Sequence, residues 1–84
     1  MYYVYILECA DTKPYTGYTS NLKERLERHR KGYVPATKLR LPIKLICYFA
    51  LTDKYKAYEF EKYLKSGSGR AFMRKHFLRA MDEE

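Results

Sequence analysis

Two helical projections place ionisable side chains where apolar ones belong. In "NLKERLERHRKG", residues 21–32, Leu22 and Leu26 define the apolar stripe of a helix at 100° per residue. The same projection brings His29 into that stripe and Arg25 to its edge, and the four-residue spacing makes the two neighbours on one surface. In "KYKAYEFEKYLK", residues 54–65, Ala57, Phe60 and Leu64 form the stripe; Glu61 falls among them while Glu59 projects away. A carboxylate turned inward needs a cation, a metal ion or a hydrogen-bond donor, since breaking a buried charge pair costs about 3–5 kcal/mol. One candidate partner is Arg25, in an internal ion pair that only fixes packing. A third group is phenolic: "YYVYILECADTKPYTGYT", residues 2–19, carries tyrosine at positions 2, 3, 5, 15 and 18. Side chains alternate along a strand, so Tyr3 and Tyr5 share one face, as do Tyr15 and Gly17. Aromatic residues favour sheets, which makes most of the ten tyrosines packing or surface residues.

The elements that must hold these groups read as follows. Residues 2–8 are apolar and aromatic with little alternation, the pattern of a central strand covered on both faces. "ADTKP" supplies a turn, and residues 14–18 return as the second arm of an antiparallel hairpin, which sets Tyr5 and Tyr15 side by side. Gly17 within that arm marks a close approach or a bulge. Ser20 or Asn21 caps the first helix, which stops at Gly32. A loop containing Pro35 and Pro42 leads to a third strand over 43–50. Thr52 or Asp53 caps the second helix, which ends at "SGSG", residues 66–69, and a third helix runs over 70–81 before an acidic tail. The order β-β-α-β-α-α predicts an α+β fold, a small three-stranded antiparallel sheet flanked by helices.

The 84 residues, 46% of them hydrophobic, make one domain with one core over 1–84. Seventeen Lys and Arg against ten Asp and Glu give a formal charge of +7, which points to a polyanionic partner, nucleic acid before an anionic membrane. The longest apolar run, "LPIKLICYFAL" at 41–51, is too short to span a bilayer and contains Lys44. No secretory pattern opens the sequence, so a cytoplasmic location is expected. Cys9 and Cys47 lack CxxC spacing and read as buried free thiols. Lys23, Arg28, Arg30 and Lys31 form a solvated face able to meet phosphates, and Lys38 and Arg40 sit in a loop that can track a strand. Arg70, Arg74, Lys75 and Arg79 spread around the third helix, and His76 is an ordinary surface or packing residue.

With these residues the chain resembles the GIY-YIG nuclease family, in particular small single-domain members related to the nuclease domain of excinuclease ABC. The first half-motif stands as Tyr3-Val4-Tyr5 and the second as Tyr15-Thr16-Gly17, ten residues on. Gly of the first is replaced by Tyr3 and Ile of the second by Thr16, while both motif tyrosines remain. "YTSNLKERLERH" resembles the family helix with its arginine and histidine at Arg25 and His29, and "AYEFEKYLKSGSGR" the segment whose glutamate is Glu61. "SGSGRAF" offers no asparagine for the role that larger relatives give one. The resemblance implies a metal-dependent endonuclease cutting DNA with low sequence specificity or a structure preference, in repair or recombination. It implies one divalent ion, Mg²⁺ or Mn²⁺, on Glu61, with Arg25 on the scissile phosphate and His29 hydrogen-bonding or relaying a proton nearby. Tyr5 and Tyr15 would be the base and the water-orienting group, in either order, with Arg25 and the metal favouring phenolate. Lys23, Arg28, Lys38, Arg40, Lys65 and Arg70 would contact nucleic acid. The alternatives are an RNA nuclease and a nucleic-acid-binding module without catalysis.

Overall fold

The structure, a computed structural model, describes residues 1–78; the expected end of the third helix, with Arg79 and the acidic tail, lies outside them. Strands β1 (Tyr2–Glu8) and β2 (Pro14–Thr19) are followed by helix α1 (Leu22–Arg30), strand β3 (Lys44–Leu51), and helices α2 (Lys54–Lys65) and α3 (Gly67–His76). The sheet is antiparallel in the order β2-β1-β3, so β1 is central as its unbroken apolar run predicts. Val4, Tyr5, Ile6 and Leu7 are all fully buried, which requires cover on both faces.

Each face packs against different helices. Tyr5 and Leu7 point to one side, where they cluster with Leu26 and Leu22 of α1 and with Tyr15, Ile43 and Leu45. Val4 and Ile6 point to the other, where they join Ala57 and Leu64 of α2 and Met73 of α3, ringed by Phe49, Phe60 and Phe72. The two-residue period of β1 therefore assigns Tyr5 to the α1 side. In the hairpin Tyr5 lies opposite Gly17 and Leu7 opposite Tyr15, which places Tyr15 diagonally beside Tyr5. Between Ile6 and Leu7 the pairing with β3 slips by one residue, and Ile46 is the extra residue of the bulge.

Local chemistry fixes the element ends. The Asn21 side chain accepts from Glu24 N at 3.2 Å, and that of Asp53 accepts from the amides of Tyr55 and Lys56 at 2.8 and 3.0 Å. Gly32, at φ +77°, turns the chain away after α1. The third helix begins three residues earlier than the sequence suggests, because "SGSG" both stops α2 and starts α3. Ser66 closes α2 and caps α3, donating its hydroxyl to Tyr63 O at 2.6 Å while accepting from Gly69 N at 3.2 Å. The corner is tight. A Cβ on Gly69 would overlap the backbone of Tyr63 and Leu64, whereas one on Gly67 would meet nothing.

These two glycines separate helix propensity from packing. Gly→Ala inside an exposed helix stabilises by roughly 0.5–1 kcal/mol. Gly69→Ala should instead destabilise by about 1–3 kcal/mol, as overpacking does, while Gly67→Ala should be neutral or mildly stabilising. Urea unfolding of the two variants checks this, and equal midpoints would contradict the packing described.

Candidate active site

The α1 face of the sheet holds a chain of polar groups inside an otherwise apolar layer. The Tyr5 hydroxyl lies 2.8 Å from His29 Nε2, and His29 Nδ1 lies 2.8 Å from Thr37 Oγ1. All three residues are fully buried. A neutral imidazole offers one donor and one acceptor, and each flanking hydroxyl can take either role, so the chain satisfies itself in either tautomer. No buried side-chain nitrogen or oxygen lacks a partner among the described residues.

Gly17 makes room for this chain. It stands opposite Tyr5 in the hairpin, and a Cβ there would overlap Cζ and Oη of the phenol. The half-motif glycine is therefore the space that the tyrosine of the other half fills. Tyr15 closes the cluster, its ring 6.3 Å from Tyr5 and 5.3 Å from His29, edge-on to the imidazole. Unlike Tyr5 it is only partly buried.

Electrostatics then set the protonation states. Burial, with the Tyr15 phenol beside it, pushes the Tyr5 hydroxyl up to about 12; Arg25 pulls it down and the charge of Glu61 raises it further. Arg25 alone thus does not favour phenolate at Tyr5, contrary to the expectation from its neighbouring cation, because desolvation outweighs it. Burial, aided by the Arg25 charge, holds His29 down at about 4, so its imidazole is neutral at pH 7.

Glu61 reaches the site from α2, on the opposite face of the sheet, and its charge is felt at Tyr5. Its side chain is only 13% exposed, in keeping with the inward projection, and its partner is Lys65, at 2.7 Å across one helical turn. Arg25 and Glu61 form no ion pair among the described residues, which removes the packing pair as the reason for either group. No three His, Cys, Asp or Glu gather as a metal cluster among the described residues. A single carboxylate that already holds an ammonium group fits a hydrated Mg²⁺ or Mn²⁺, an ion that keeps several waters and takes substrate phosphate as ligand. It does not fit zinc, which wants three or four protein ligands.

An open cleft of about 520 Å³ adjoins Tyr15 at the free edge of β2, between that strand and the α2–α3 corner. Of the residues expected to contact nucleic acid, Lys65, Arg70 and Arg40 line it. Arg40 is also a structural clip: its guanidinium donates to both carboxylate oxygens of Asp11 at 2.9 and 3.3 Å and to Lys13 O at 3.3 Å. Lys23 lines a separate depression beside Tyr3 and Tyr48, and Arg28 and Lys38 are exposed away from both. The structure adds three residues. Lys13 and Arg74 line the cleft, and Thr37 fixes His29. Thr37 comes from an irregular loop whose sequence has no periodicity to mark it.

Comparison with known proteins agrees with this arrangement. The model of the GIY-YIG catalytic domain matches residues 1–76. A UPF0213 protein of Streptococcus pyogenes is 41% identical over 70 residues, 82% of this chain and 76% of that one. A UPF0213 protein of Streptococcus agalactiae is 40% identical over 70 residues, 82% of this chain and 80% of its own. The solution structure of a UPF0213 protein from Bacillus halodurans superposes with a TM-score of 0.56 at 35% identity, covering 87% of this chain and 82% of the other. No helix among the described residues is long and apolar enough to cross a membrane.

The cradle for Tyr5 makes a direct prediction. In Gly17→Ala the phenol cannot keep both its buried seat and its bond to His29, so stability should fall by about 1–3 kcal/mol. Urea unfolding measures this, and a loss under about 0.5 kcal/mol, the scatter of ordinary surface changes, would show that Tyr5 is free to move.

Proposed function

The chain belongs to the GIY-YIG catalytic-domain family, a nuclease family, and we propose that it is a metal-dependent endonuclease hydrolysing phosphodiester bonds in DNA with little sequence preference. The observation that carries this reading is convergence. Tyr5, Tyr15, Arg25 and His29 meet on one side of the sheet, the charge of Glu61 reaches them from the other, and a cation-lined cleft opens beside Tyr15. A binding module has no need of a nearly buried carboxylate next to two phenols.

Each residue has a task that its surroundings permit. The planar fork of Arg25 holds non-bridging oxygens of the scissile phosphate and offsets the charge that builds there. His29, neutral and braced by Thr37, orients the Tyr5 hydroxyl without adding charge of its own. Tyr5 keeps its proton in the free protein and serves as a hydrogen-bonding group aimed by that brace. Tyr15, the phenol that lines the cleft, faces the incoming strand and its water. A divalent ion held by Glu61 would neutralise charge on the phosphate and on the leaving oxygen. No part of the described chain is placed to read base edges in a groove, which supports low sequence preference.

The test is cleavage of end-labelled duplex, single-stranded and branched DNA, and of RNA, with Mg²⁺, Mn²⁺ or EDTA. Cutting of DNA that needs the metal and falls about 100-fold or more in Glu61→Gln, with binding and folding kept, is the expected result. Binding without cleavage on every substrate and metal would overturn the reading in favour of a non-catalytic module, and cleavage of RNA alone would reassign the substrate.

A further inference from the structure

The cleft beside Tyr15 holds more than a track for phosphates requires. Its cations stand around an apolar floor: Pro14, Tyr15 and Leu78, backed by the buried Leu64 and Met73. Two of the five cations are engaged, Arg40 with Asp11 and Lys65 with Glu61. Lys13, Arg70 and Arg74 are in no ion pair among the described residues. Arg70 and Arg74 are one helical turn apart on α3 and present their guanidinium groups as neighbours. Lys13 faces them from the turn before β2.

A surface that only follows a duplex backbone is a shallow basic stripe. Its affinity comes from phosphate contacts, and it has no use for an apolar recess. Here the recess of about 520 Å³ falls within the roughly 300–1,000 Å³ of pockets that enclose a small ligand. An aromatic ring, aliphatic side chains and a rim of cations match the two halves of a nucleotide, a flat base and its flanking phosphates. A base stacked in a duplex cannot enter such a recess without leaving its stack.

We propose that this cleft is a subsite for one unpaired nucleotide adjacent to the bond being cut, with its base over Pro14, Tyr15 and Leu78 and its phosphates on Lys13, Arg70 and Arg74. The substrate position at the cleft is then single-stranded, a flap, a bulge or a flipped base. The cutting rests on the nuclease reading, while the nucleotide site itself stands on the cleft alone.

The two can be tested apart. Methyl NMR signals of Met73 and Leu78 are followed while thymidine 3′,5′-bisphosphate, thymidine or inorganic phosphate is titrated, without metal and without turnover. The bisphosphate should shift both methyls and bind about tenfold or more tightly than phosphate, and Arg70→Ala with Arg74→Ala should weaken it by a similar factor. Phosphate binding as tightly as the bisphosphate, or shifts that leave both methyls unmoved, would overturn the proposal whatever the cleavage assays show. For a chain that cleaves DNA, a duplex carrying one unpaired nucleotide should be cut beside it in preference to the fully paired duplex. Equal cutting of the two would also overturn it, while absence of all cleavage would fall on the nuclease reading and leave the titration to decide the subsite.

Discussion

A single buried hydrogen bond, between the Tyr5 hydroxyl and His29 Nε2, ties the sheet to the first helix, and the rest of the site is arranged around it. Leaving either partner unsatisfied in that layer would cost about 1–3 kcal/mol, a large share of the stability a domain this small possesses. The bond imposes conditions in turn. Gly17 must lack a side chain, Thr37 must meet the far nitrogen, and Tyr15 must cover the ring from the strand edge. Two neutral, rigid groups are thereby fixed beneath a charged one, Arg25, which lies nearer the surface. Preorganisation of this kind is what a reaction with developing negative charge demands of its protein.

The sheet edge explains why the two halves of the site come from opposite faces. With β2 outermost, α1 on one side and α2 on the other both end their reach at the same strand. Gly17 thins that edge where Tyr5 crosses it, and the charge of Glu61 is felt at a phenol belonging to the other layer. The same edge carries the cleft. An unpaired strand edge is a hazard for aggregation, and here Pro14 opens it while Lys13 and the α3 arginines surround it with positive charge. What protects the edge from another sheet thus also suits it to a polyanion.

Much of this was legible in the residues. The unbroken apolar run of Tyr2–Glu8 marked a central strand because only cover on both faces tolerates it. The projections of His29 and Glu61 into apolar stripes marked the site, since helical geometry is local and the cost of burying such groups is large. Other features depend on summed or non-local terms. Thr37 lies in a loop with no period to read, and only the folded chain brings it to His29. The start of α3 was hidden because Ser66 sends a stop signal and a start signal at once. The state of Tyr5 followed from the balance of burial against Arg25, and sequence shows the charge but not the depth of burial.

His29 as a neutral brace is the centre of this arrangement, and its imidazole can be watched directly. Long-range ¹H–¹⁵N NMR spectra of the protein from pH 7.5 down to the acid limit of folding report charge and tautomer at Nδ1 and Nε2. A neutral brace should show one tautomer well below the ordinary histidine range, with protonation at about 4, while the exposed His76 titrates separately. Because the folded value lies below the unfolded one, its contribution to stability should be complete above the ordinary histidine pKa and decline as pH falls through that interval. An imidazolium at His29 near pH 6.5 would contradict that role, and the buried chain from Tyr5 to Thr37 would then have to be drawn differently.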